Sequence, residues 1–280
     1  MLLKLLKYDM KSIWKIAFVV SLISLGASAA GGVGLRFFMD ETKNPDSSPF
    51  ILIAFFAVLV AIFAMVATNV VISIFVYVRF YKNLYTDEGY LTFTLPVSRR
   101  QILLSKTLNS LFWSLYQAII LIISLFIFTL FLPRSDNSGA VGDLITDSFV
   151  SLVELSSGWD VLSAIFLILT VIAYAIFGVC LVHFCISLTA MLVKRGRLIV
   201  GIILYIAISG AAEALIQVLF IGEALIFDLL FGYGTQALDS PAAHAFAAGM
   251  LFIDLIISVG VLFLTYFLTQ KIIDRKLNLA

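Results

Sequence analysis

The sequence is poor in the residues that build disulfide scaffolds and most catalytic centres. It holds two cysteines, two histidines and five prolines in 280 residues, and only 12% of its side chains are charged. Cys180 and Cys185 share one apolar run. On a helix they project about 140° apart, so they cannot bridge within it, and no disulfide framework or redox compartment follows. His183 lies between them. Cys185 projects about 160° from it, so one ion cannot take all three side chains as ligands. A packed imidazole and two small apolar thiols are expected there, and no metal site is assigned. A G-x-x-x-x-G-K-[ST] phosphate loop is missing: Lys11-Ser12 and Lys106-Thr107 lack the glycines whose N–H groups cradle phosphates. No H-E-x-x-H and no G-x-S-x-G occurs either. No catalytic residue is assigned, and the chain is expected not to be an enzyme and to bind no cofactor itself.

What is present is apolar. Hydrophobic residues make up 62% and the mean hydropathy is +1.12, which marks a membrane protein rather than a soluble core. Six runs, at 16–38, 50–79, 103–132, 160–192, 198–220 and 248–270, are long enough to cross about 30 Å of hydrocarbon. The second to fourth are long enough to tilt or to project beyond the bilayer. The net charge of +1 says nothing of partners, and no nucleic acid is expected among them. The distribution of charge says more. Lys4, Lys7, Lys11, Lys15, Arg79, Lys82, Arg99, Arg100, Lys106, Lys194, Arg195, Arg197, Lys271, Arg275 and Lys276 fall on one side of such a six-span chain. Only Arg36, Lys43 and Arg134 fall on the other. The positive-inside rule then puts both termini in the cytosol.

Residues 1–15 read as an interfacial helix. Lys4, Lys7, Lys11 and Lys15 share an arc of about 80°, with Leu2, Leu5, Leu6 and Ile13 opposite. Such a helix lies on the membrane with its lysines toward anionic headgroups, although Asp9 interrupts the apolar face. A signal peptide cleaved near Ala27-Ser28-Ala29 is the rival, but the apolar run continues to Phe38 as a span does. Gly26 to Gly34 carries the small-xxx-small pairs Ala27/Gly31, Ser28/Gly32 and Ala30/Gly34. These permit close helix approach, within the chain or across a dimer seam. Two outer segments are long. Residues 133–159 are polar and acidic and read as an external cap; residues 221–247 are apolar and read as short re-entrant helices. Asn69, Asn109, Gln117, His183, Glu213, Gln217 and Asp254 are the polar side chains costly in lipid. Asn69, Asn109, Gln117, Glu213 and Gln217 are the candidate substrate path, and Glu213 falls in the outer half of its span.

Residues 80–102 form the largest cytosolic interruption. Ser98 and Gln101 have the spacing of a capping box at the start of the third span, and Pro96 disfavours helix at Leu95. Upstream, Thr86 is placed to cap a short piece with Asp87 and Glu88 in its first turn. Gly89 permits the close approach of another surface. The outcome is a helix–break–helix elbow with Tyr85, Tyr90, Leu91 and Phe93 exposed. It serves either as a docking knob for a protein or as a surface-lying elbow with its aromatics among headgroups.

The stretch YTDEGYLTFTLPVSRRQILLSK, Tyr85 to Lys106, resembles the segment between spans two and three of ABC-2 type transporter permeases. The matching features are Glu88-Gly89, Leu95-Pro96-Val97-Ser98-Arg99 and Lys106. The rest is similar in layout only, and the 133–159 segment is longer than in a minimal family member. The resemblance implies a coupling helix seated in a cleft of a separate ATPase subunit. Its partner-binding residues would be Tyr85, Asp87, Glu88, Gly89, Tyr90, Leu91, Phe93, Leu95, Pro96 and Arg99. It also implies two permease subunits, identical or not, with ATP and magnesium on the ATPase. The fold expected is thus an all-α integral membrane protein, a single transmembrane domain over 1–280 in a bacterial plasma membrane. The function expected is the permease subunit of an exporter of amphipathic or hydrophobic substrate. An ion-coupled secondary transporter and a non-transporting scaffold are the alternatives, though no internal repeat supports the former.

Overall fold

A computed structural model describes residues 2–41, 50–86, 88–89, 92, 94, 96–131, 158–193, 197–231 and 241–276. Six helices hold nearly all of them: α1 (Leu2–Glu41), α2 (Phe50–Tyr85), α3 (Arg99–Leu130), α4 (Gly158–Leu192), α5 (Arg197–Phe231) and α6 (Pro241–Lys276). Each is long and apolar enough to cross a membrane, so the protein is a multi-pass membrane protein whose described residues are essentially all helical. The lengths run from 32 to 40 residues. At 1.5 Å per residue they span about 48–60 Å, well beyond the hydrocarbon. The five prolines explain the unbroken runs. Four lie between helices in the sequence, and Pro241 takes the first helical position, where its missing N–H costs nothing.

Two sequence readings change. Residues 1–15 are not a separate surface helix, because α1 runs without a break through Lys15 and Ile16. No glycine or proline precedes Gly26, so nothing interrupts propagation of the helix. The segment 221–247 does not hold separate short helices among its described residues. Residues 221–231 continue α5 and 241–247 open α6; no proline separates Ile221 from Phe231, and the single Gly222 is accommodated within the helix. Most of the 133–159 segment lies outside the described residues; Gly158 and Trp159 open α4.

The chain divides into two compact units, Met1–Arg79 with Leu108–Glu154, and Phe80–Thr107 with Leu155–Ala280. In the first, Trp113 is fully buried among Ile13, Ala17, Ile72 and Val76. Hydroxyl contacts run alongside: Ser21 with Tyr116 at 2.9 Å, Ser24 with Ser124 at 3.0 Å. Asp9 lies on this packed face, where its Oδ1 meets Arg79 Nε at 3.7 Å. The small residues of α1 serve packing within the chain. A Cβ on Gly31 would collide with Ala61, and one on Gly32 would stand 2.7 Å from the Phe131 ring.

In the second unit α4 packs chiefly on α6 and less on α5. Phe177, Leu181 and Cys185 form one core cluster, and Phe80, Leu84, Ile102, Leu103 and Ile273 another. Hydroxyls on the packed faces satisfy themselves locally. Ser187, Thr189 and Thr269 each donate to the carbonyl four residues back, at 2.7 Å. The starts of α4 and α6 are joined by Asp160 Oδ1 and His244 Nδ1 at 2.5 Å. The apolar window of α5 buries no residue inside the chain.

Candidate functional site: the polar elbow between α2 and α3

The elbow begins where α2 ends. Thr86 Oγ1 donates back to the Lys82 carbonyl at 2.6 Å, so the hydroxyl closes α2 instead of capping the piece that follows. The chain then turns at once: Gly89 N donates to the Thr86 carbonyl at 2.8 Å. Glycine is required at this turn. A Cβ there would lie 2.9 Å from the Leu84 carbonyl oxygen, a backbone atom that cannot swing aside. The surface that Gly89 approaches is therefore the end of its own preceding helix.

Glu88 is exposed but tethered. With the Asn83 amide oriented to satisfy both neighbours, its nitrogen donates to Glu88 Oε2 at 3.1 Å. Its oxygen then accepts from Lys106 Nζ at 2.7 Å. Lys106 is buried, and an ammonium removed from water needs such oxygen partners. The Asn83 amide thus links a surface carboxylate to a buried cation on α3. Glu88 and Lys106, 18 positions apart in the sequence, meet with Gly89 around the last turn of α2.

Three more contacts fasten the elbow to its unit. Tyr85 Oη donates to Ser187 Oγ on α4 at 2.6 Å. One turn earlier, Phe80 stacks on the His183 ring with centroids 3.9 Å apart. Arg99 Nη1 donates to the Asp274 carbonyl near the end of α6 at 3.2 Å. The capping box forms, with Gln101 N on Ser98 Oγ and Ser98 N on Gln101 Oε1, each at 3.4 Å.

The elbow residues expected to bind a partner therefore divide. Glu88 and Pro96 are exposed. Tyr85 is not the free surface aromatic that its sequence suggests, because its hydroxyl is turned inward to α4. Gly89 is buried, and Arg99 is half-buried against α6. Asp87, Tyr90, Leu91, Phe93 and Leu95 lie outside the described residues.

The candidate substrate-path residues are shared between the units: Asn69, Asn109 and Gln117 belong to the first, Glu213 and Gln217 to the second. Asn69 donates to the Met65 carbonyl of its own helix at 2.8 Å, and Gln117 Oε1 accepts from Ser73 at 2.9 Å. Asn109 is buried, and its Oδ1 has no hydrogen-bond partner among the described residues. Glu213 and Gln217 are exposed on α5. Among the described residues, no three His, Cys, Asp or Glu side chains gather as a metal-ligand group. Sequence reasoning missed Asn83, Ser187 and Glu223. Nothing in a linear pattern marks Asn83, whose role exists only once the chain reverses at Gly89. Ser187 was legible as one of several hydroxyls, without its partner. Compared with family models, curated proteins and solved structures, the chain matches none of them.

Proposed function

We propose that this chain is the membrane subunit of an ATP-binding-cassette exporter of the ABC-2 type. In this reading both termini and the elbow face the cytosol of a bacterial cell, and the chain sits in the plasma membrane. Two permease subunits, identical or different, work with two separate ATPase subunits that bind ATP and magnesium. The cargo is amphipathic or hydrophobic and moves outward.

The observation that carries the reading is the tethering of Glu88. An exposed carboxylate on a tight turn is wired through Asn83 to buried Lys106 at the start of α3. The same turn is bonded to α4 through Tyr85 and Ser187, and α3's first residue is bonded to α6. A partner pushing on Glu88 would move the ends of three helices rather than a loose loop. That is the mechanical requirement for a subunit driven from outside its own chain.

The test is native purification in mild detergent with a cysteine in place of Glu88. Co-purification and crosslinking of a nucleotide-binding protein support the proposal. A chain that comes out alone, with the introduced thiol unpaired, sinks it. A second reading, ion-coupled transport, draws on one arrangement: Glu223 on α5 and Asp254 on α6 lie within electrostatic reach of each other and of Tyr174 on α4. Transport by reconstituted chain alone under an imposed proton or sodium gradient, abolished by Asp254→Asn, would select it.

A further inference from the structure

The first four turns of α1 carry a charge pattern that its packing leaves unanswered. Lys4, Lys7, Lys11 and Lys15 are all exposed. The one carboxylate within residues 1–39, Asp9, lies on the opposite side and is occupied by Arg79. On the helix the lysine arc is flanked by two aromatic side chains, Trp14 on one edge and Tyr8 on the other, within a sector of about 120°. Both are turned outward, 52% and 72% exposed. Trp14 also touches the rings of Trp113 and Tyr116, with centroids 6.4 Å away. The half-exposed Trp14 ring, apolar in its body with one polar N–H, suits a membrane–water interface.

Because α1 is continuous, depth follows from residue number. The apolar run begins at Ile16, one residue after Lys15. Lys15 and Lys11 therefore stand at headgroup level beside Trp14. Lys4 lies about 16 Å farther along the axis than Lys15, out of the headgroup layer for a helix crossing the bilayer. We propose that Lys11 and Lys15, with Trp14, form a binding site for the headgroup of an anionic phospholipid, and that Lys4 and Lys7 take no part in it. A protein partner is disfavoured at this level, where lipid headgroups occupy the space next to a spanning helix. The site does not depend on the transport reading.

The test uses the full chain reconstituted in phosphatidylcholine vesicles with a minor fraction of phosphatidylglycerol. Bromine is placed on one lipid or the other at equal density, and quenching of tryptophan fluorescence is read. Trp14→Phe identifies the share of the signal that belongs to Trp14. Bromine on phosphatidylglycerol is expected to quench Trp14 several-fold more strongly, from a local enrichment of about five-fold per lysine at low salt that fades as salt is raised. Lys11→Gln with Lys15→Gln removes the preference, while Lys4→Gln with Lys7→Gln keeps it. Equal quenching by the two lipids in the unaltered protein overturns the site. Equal losses from both lysine pairs also overturn it, because they would mean that all four lysines reach headgroups and α1 lies flat. Glutamine at exposed helical positions leaves the fold intact, so both pairs remain readable.

Discussion

At the scale of single residues, the elbow rests on a few side chains with no substitute. Gly89→Ala places a methyl against the Leu84 carbonyl, and the turn must open. We expect a loss of about 1–3 kcal/mol, the usual cost of overpacking, read as a lower melting temperature in detergent. Tyr85→Phe and Ser187→Ala each remove one side of a 2.6 Å hydrogen bond. A double-mutant cycle should return a coupling of about 1 kcal/mol, and a coupling near zero would show that the pair does not hold α2 to α4. The Asp9–Arg79 pair is asymmetric, since the Asp9 side chain is 7% exposed and that of Arg79 38%. Arg79→Met should therefore cost more than Asp9→Asn. The first takes a cation away from a buried carboxylate, whereas the second leaves a guanidinium able to turn to water. Comparing the two melting temperatures checks the order.

At the scale of elements, the capping box at Ser98 is separable from the rest of the elbow. Ser98→Ala should cost about 1 kcal/mol and fray the first turn of α3, visible as faster amide exchange there. This element was legible because Ser98 and Gln101 act over three residues, and Pro96 acts on its immediate predecessor. The six apolar runs were legible for a similar reason: length and hydropathy are local sums. Their ends were not. Charged residues such as Lys82 look like the end of a span, yet in a helix that projects into water they are ordinary surface positions. α2 accordingly continues to Tyr85. The same logic merges the lysine-rich start of α1 with its span. The sequence sets Asp9 within the apolar face, and it does lie on the packed side, but what meets it there was not legible. Its partner Arg79 is 70 residues away, and spacing alone cannot show which residue meets it.

At the scale of the whole molecule, the topology we propose, six spans with both termini in the cytosol, is open to a direct test. The native thiols help the test, because Cys180 and Cys185 are both buried and free. A membrane-impermeant maleimide should leave them unmodified in intact cells. A single cysteine replacing Lys82 should react only after the cells are opened; prompt labelling from outside would invert the topology. The packing of α4 has a consequence for biosynthesis. Its main partner, α6, is made last, so α4 must enter the bilayer and wait while α5 and α6 are synthesised. Its buried serine and threonine at 187 and 189 can endure that wait, because each hydroxyl already donates to its own helix. His183 is different: its ring stacks on Phe80 of α2, a helix already made when α4 emerges, so the imidazole can be covered before α5 and α6 arrive.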